Sequence, residues 1–205
     1  MTMQRLMPNQ VDDAVAILAA GGIVVYPTET SYGMGCDATN QAAVERIFAI
    51  KQRPVVKGLS TILPSLADAT QYIILLPYTR RLVEYYWPGP LTIVAPKSPT
   101  SPLSPLCENG NNKTHAVRVS SHPVAAALAN RLGKPIVATS ANISGKPDVY
   151  DPADIVAAFE GAEQQPNAYI DAGILPHTPP STIVQVRPEG INVLRQGALV
   201  IRKVW

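Results

Sequence analysis

The stretch GGIVVYPTETSYGMGC, residues 21–36, decides how the chain is read. Its opening, Gly21 to Val25, is a short apolar run rich in β-branched residues, and it reads as a buried strand. Hydroxyls, one carboxylate and two glycines crowd directly behind it, at the strand end where α/β proteins place ligands. On these residues alone, two readings of Thr28, Glu29, Thr30, Ser31, Tyr32, Gly33 and Gly35 stay open. Either Ser and Thr satisfy backbone groups in a tight turn, or the cluster belongs to a binding site. Gly33-Met34-Gly35 is a weak dinucleotide signal, because the third glycine of that fingerprint is missing.

Working outward, helices and strands alternate around this stretch. Val11, Ala14, Val15 and Leu18 fall at i, i+3, i+4 and i+7, with Asn9 as N-cap and Gly21-Gly22 as stop, so an amphipathic helix leads into the strand. A second helix over 41–51 turns Ala43, Val44 and Ile47 inward and must end before Pro54, since the residue preceding a proline is pushed out of the helical region. Helices are also expected over 79–86 and over 122–132, where Val124, Leu128 and Leu132 recur every fourth residue before Gly133. A fifth starts at Asp151-Pro152, with Asp as cap and Pro in the first turn. Between them lie β-branched runs at 59–63, 91–95, 115–119, 135–140, 168–171, 181–186 and 191–195. With the first, these make eight strands interleaved with helices, which predicts an α/β fold built on a twisted mixed β-sheet flanked by helices. The last three strands have no long helix between them, so antiparallel pairing is expected near the C-terminus.

At 205 residues and 46% hydrophobic content, the chain is read as one domain over 1–205. It has no apolar run near the roughly 20 residues of a membrane span and no secretory signal core at its start, so a cytoplasmic protein away from membranes is expected. Cys36 and Cys107 are too few for a disulfide framework, and no Cys or His pair has zinc-ligand spacing. A formal charge of +2 excludes a general polyanion binder, so any basic patch must be local. Many of the 20 prolines fall in 96–114 and 176–181, and a loop as long as the first is usually functional or mobile.

Three further clusters bear on chemistry. In KQRPVVKG, Lys51 and Arg53 can be read as cations complementing a helix C-terminus, which leaves Lys57 unexplained. A guanidinium between two ammonium groups also suits a chain of phosphates. Arg118, inside the strand HAVRVS, either points to solvent by alternation or clamps a carboxylate. In TSANISG, Thr139 to Gly145, small hydroxyls and an amide after a strand can bind phosphate or ribose, although no P-loop motif exists in the chain. His115, His122 and His177 are too scattered to complete a Ser-His-Asp or Cys-His set.

Together, YPTETSYGMGCD, KQRPVVKG, WPGPLTIV, AVRVSSHP and ATSANISG occur in the order and approximate spacing of the YrdC-like family, and the chain resembles that family from about Gln10 to Arg195. The resemblance implies a YrdC-like fold and condensation of L-threonine, bicarbonate or CO2, and ATP into threonylcarbamoyl-adenylate and pyrophosphate. It puts Thr30, Arg118 and Ser181 at threonine, with Arg118 pairing its carboxylate. Lys51, Arg53 and Lys57 fall on the triphosphate as the catalytic cations, while Ser140, Asn142 and Arg195 lie at the nucleotide. Mg2+ is expected to enter with ATP, held mainly by phosphates and water, with no protein metal site. The adenylate is expected to pass to a separate tRNA threonylcarbamoyltransferase complex, with at most weak tRNA binding by this chain. Longer family members carry a further C-terminal domain that folds over the site. This chain stops at Trp205, so loop 96–114 is a candidate lid. A non-catalytic double-stranded RNA-binding protein and a YciO-type paralogue are the competing readings.

Overall fold

The polar residues 28–31 are the tip of a hairpin, formed because Thr28 supplies the turn with its own hydrogen bonds. Its Oγ1 donates to the Ser31 carbonyl at 2.7 Å and accepts the N–H groups of Thr30 and Ser31 at 3.2 and 3.3 Å. The flanking segments pair as antiparallel strands β2 (Val24–Pro27) and β3 (Tyr32–Gly35), so YGMG is itself a fully buried strand rather than a loop.

The computed structural model describes residues 2–55, 58–110, 113–159 and 161–202. In chain order the other strands are β1 (Gln4–Leu6), β4 (Thr61–Ile62), β5 (Leu91–Pro96), β6 (Thr114–Arg118), β7 (Ile136–Val137), β8 (Thr139–Ser140), β9 (Ala168–Ile170), β10 (Thr182–Arg187) and β11 (Gly190–Arg195). The helices are α1 (Val11–Ala19), α2 (Gln41–Ile50), α3 (Ala69–Tyr72), α4 (Pro77–Tyr86), α5 (Pro123–Leu132) and α6 (Pro152–Phe159). Gln10 rather than Asn9 occupies the N-cap of α1, and α4 starts two residues earlier than the apolar pattern suggests, with Pro77 in its first turn.

The α/β class, the mixed pairing and the flanking helices hold, and the strands divide between two sheets. One runs β1-β9-β2-β3-β8 and the other β11-β10-β5-β6-β4-β7. The expected strand 135–140 is where they meet: Ile136–Val137 pairs with β4 and Thr139–Ser140 with β3. Ala138 carries the chain across, its N–H donating to the Ser60 carbonyl at 2.7 Å. Antiparallel pairing near the C-terminus is present as β10 on β11.

The helices cover the sheets with the faces their periodicity marks. Val11, Ala14 and Leu18 of α1 are buried with Val124 and Leu128 of α5, and Ala43, Val44 and Ile47 of α2 are buried in the larger cluster. Each such Leu, Ile or Val contributes about 1.5 to 3 kcal/mol by leaving water.

Gly35 shows how tightly the seam is closed. A Cβ there would lie 2.1 Å from the Val137 carbonyl oxygen, which also accepts the Tyr26 hydroxyl at 2.7 Å. Gly35 is therefore read as a packing glycine. Gly35→Ala is expected to force β3 from β7 and lower the unfolding free energy by about 3 kcal/mol or more, or roughly 6 to 12 °C in Tm. A thermal melt checks this, and a change below about 2 °C would contradict the packing described.

Candidate functional site

Alternation along three strands builds the floor of the site. Thr92 and Val94 of β5, Ala116 and Arg118 of β6, and Ile183 and Gln185 of β10 face one cavity of about 770 Å³, while Ile93, Val117 and Val184 between them point into the core. The register aligns Ile183 with Thr92, and Gln185 with Val94 and Ala116, so the floor is a two-row grid. The hairpin tip supplies Thr28, Thr30 and Ser31 on one side, β8 supplies Thr139 and Ser140, and Ser181 and Arg195 complete the wall. From loop 96–114, Asn109, Gly110 and Thr114 also line the cavity, while Leu103 and Cys107 anchor the loop in the core.

Three arginines reach this cavity, Arg53, Arg118 and Arg195, against one carboxylate among its lining residues, Asp148. Arg53 is delivered by the end of α2: Gln52 takes a left-handed φ of 50°, and the Arg53 N–H closes back on the Phe48 carbonyl at 3.0 Å. Its guanidinium carbon stands 6.0 Å from the Phe48 ring centre, and burial lowers its pKa. The Arg195 guanidinium donates to the Ser181 carbonyl from Nε at 3.1 Å and Nη2 at 2.9 Å, and to Ser181 Oγ at 3.2 Å. Ser181 Oγ also shares a 2.9 Å hydrogen bond with Thr92 Oγ1. Arg118 lies almost wholly inside, with its Nη1 on Glu29 Oε1 at 3.1 Å.

The expected residues are thus only partly gathered at one place. Thr30, Arg53, Arg118, Ser140, Ser181 and Arg195 line the cavity, whereas Lys51 and Asn142 stand behind its wall. Lys57 lies outside the described residues. The Lys51 ammonium donates to the Ser140 carbonyl at 2.6 Å, to the Asn142 carbonyl at 2.8 Å and to Asn142 Oδ1 at 3.0 Å. Asn142 Oδ1 also accepts Ser140 Oγ at 2.7 Å, and its Nδ2 donates to the Lys146 carbonyl and to that of Pro147 at 3.1 Å. These two side chains brace the segment that presents Ser140. Asp148, Thr92 and Asn109 are additions that no local motif marks, and Glu29, part of the opening cluster, enters the site through Arg118 rather than by lining the cavity.

Burial pulls the Lys51 pKa down to about 8, with the Arg53 charge adding and Asp148 opposing. Since the folded value lies below the ordinary 10.5, the unfolded chain holds more protons between these values, and this group's contribution to stability rises with pH across that window. At neutral pH the ammonium is charged and its three acceptors are satisfied. Lys51→Met would strip them together, so a loss of about 2 kcal/mol and roughly 4 to 8 °C in Tm is expected. Scanning calorimetry at neutral pH measures it, and an unchanged Tm would contradict the brace.

A family model named Sua5_yciO_yrdC and described as "Telomere recombination" matches residues 16–197. The chain is 40% identical over 173 residues to a Pseudoalteromonas translucida (strain TAC 125) protein named threonylcarbamoyl-AMP synthase, over 83% of this chain and 89% of that one. A Halorhodospira halophila (strain DSM 244 / SL1) protein of the same name is 42% identical over 127 residues, or 62% of this chain and 65% of its own length. Among solved structures, P. abyssi Sua5 complexed with L-threonine is similar at a TM-score of 0.85 and 31% identity, over 96% of this chain and 58% of that one. E. coli YciO is similar at a TM-score of 0.84 and 27% identity, over 96% of each chain. The chain therefore spans a little over half the length of the Sua5 chain and nearly all of YciO.

Proposed function

The chain belongs to the Sua5/YciO/YrdC family, and from the make-up of its cavity we propose that it is a threonylcarbamoyl-AMP synthase, joining L-threonine, bicarbonate or CO2, and ATP into threonylcarbamoyl-adenylate and pyrophosphate. The observation that carries the reading is the convergence of Arg53, Arg118 and Arg195 with the hydroxyls of Thr30, Ser140 and Ser181 around one cavity. This reaction needs no protein nucleophile. Threonine's amine captures CO2 as a carbamate, a carbamate oxygen attacks the α-phosphorus, and pyrophosphate leaves, so catalysis is positioning plus charge neutralisation.

In this reading Thr30, Arg118 and Ser181 hold threonine. Arg53, with Lys57, takes the phosphates, and Arg195 and Ser140 the nucleotide. Lys51 and Asn142 act through Ser140 by holding its segment. Mg2+ would arrive with the phosphates, held mainly by phosphate and water oxygens, with Ser140 Oγ and Asp148 among the oxygens lining the cavity.

No helix among the described residues is long and apolar enough to cross a membrane, and the setting proposed is the cytoplasm. The adenylate would pass to a separate tRNA threonylcarbamoyltransferase complex for threonylcarbamoyladenosine synthesis. With the arginines directed into a cavity and a net charge of only +2, tRNA binding by this chain should be weak and salt-sensitive. Identity to the two synthase-named relatives exceeds that to YciO, which favours the synthase over the paralogue.

The test is pyrophosphate release from ATP in the presence of Mg2+, with threonine or bicarbonate left out in turn. Release that requires both is expected. Equal release without threonine would overturn the proposal.

A further inference from the structure

Arg118 is held by a residue that does not itself line the cavity. Glu29, at the hairpin tip, receives Arg118 Nη1 at 3.1 Å on Oε1 and the Ser120 hydroxyl on Oε2, and the two charged side chains are only 7% and 12% exposed. Ser120 Oγ in turn accepts the His122 N–H at 3.2 Å, and His122 Nδ1 accepts the Val124 N–H at 3.3 Å at the start of α5. The carboxylate is therefore fixed from two sides, by the Thr28-locked tip and by a chain of bonds to a helix terminus. A guanidinium has five N–H donors. Glu29 is the acceptor found for the Arg118 side chain among the described residues, and Arg118 itself lines the cavity.

The geometry points to Glu29 as the positioning residue that aims Arg118 and makes the amino-acid end of the cavity selective for a zwitterion over a polyanion. This inference rests on the synthase reading and names a residue which that reading leaves unused. A bare buried guanidinium attracts the most highly charged anion available, and this enzyme would work in a cavity shared with triphosphate and pyrophosphate. A carboxylate 3.1 Å away turns the charge into a dipole at longer range. It leaves the directional N–H fork for a single carboxylate such as that of threonine, whose ammonium keeps the ligand's net charge at zero.

The experiment compares Glu29→Gln with the parent chain. The amide keeps the shape and an acceptor for Arg118 but removes the charge. Threonine KM is expected to rise about tenfold, the equivalent of weakening one charge-assisted contact, while ATP KM stays within about twofold. Inorganic phosphate should become competitive with threonine in the variant, although it is not in the parent. Threonine affinity by calorimetry without ATP should fall in parallel. That readout needs no turnover and separates failure of this proposal from failure of the synthase reading, which an inactive parent chain would expose. Unchanged threonine KM and affinity, or phosphate inhibition that does not shift toward threonine, would overturn the assignment. If Glu29→Gln does not fold, Ser120→Ala decides, because it frees one side of the carboxylate. A selective rise in threonine KM, reversed in Ser120→Thr, supports the proposal, and equal effects on threonine and ATP refute it.

Discussion

Arg53→Ala should lower kcat/KM for pyrophosphate release by about two orders of magnitude, or roughly 2 to 4 kcal/mol of transition-state stabilisation, while moving Tm by only a few degrees. The residue stands at the exit of α2, turned from the helix by the left-handed Gln52 and presented to the cavity. Negative charge migrates onto the leaving pyrophosphate as the α-phosphorus is attacked, and a guanidinium already in place neutralises it without reorganisation. Arg53 is partly exposed rather than deeply buried, so its truncation opens no core cavity. Steady-state kinetics beside a thermal melt separates the roles. A large fall in Tm with activity retained per folded molecule would make Arg53 a helix-terminus cation and nothing more.

Arg118→Lys should raise threonine KM by about 10- to 100-fold and leave ATP KM nearly unchanged. An ammonium can keep the ion pair with Glu29 or reach a substrate carboxylate, but it cannot supply a planar fork to both. Lysine is the informative replacement. Alanine would abandon the buried Glu29 carboxylate, and removing one partner of a buried pair costs about 3 to 5 kcal/mol by itself. Initial-rate measurements with each substrate varied in turn give the answer. A defect confined to ATP would move Arg118 to the nucleotide end.

The parts legible in the sequence are those governed by local periodicity. The inward faces of α1, α2 and α5 and the alternation in β5, β6 and β10 follow from spacing alone, because one side of each element meets the core and the other does not. The hairpin at 24–35 was hidden because Gly33 and Gly35 read as loop residues. The need for Gly35 arises from the Tyr26 ring and the Val137 carbonyl pressing on β3, contacts that no short window contains. The same holds at Ala138, where an apparently continuous strand changes sheets. Lys51 resembled its neighbours Arg53 and Lys57 in type, yet it is 3% exposed and bonded to residues some 90 positions away. Glu29 carried one usable signal: an arginine inside an apolar strand calls for a carboxylate partner. Which of 15 acidic residues supplies it is a tertiary fact.

The central claim is that this cavity joins three substrates into one adenylate. It is tested most directly by incubating the chain with ATP, Mg2+, L-threonine and carbon-13-labelled bicarbonate, and analysing the mixture by mass spectrometry. The account predicts threonylcarbamoyl-adenylate carrying a single labelled carbon, absent when threonine is omitted and strongly reduced for Arg53→Ala. ATP consumed without that labelled adduct would contradict it.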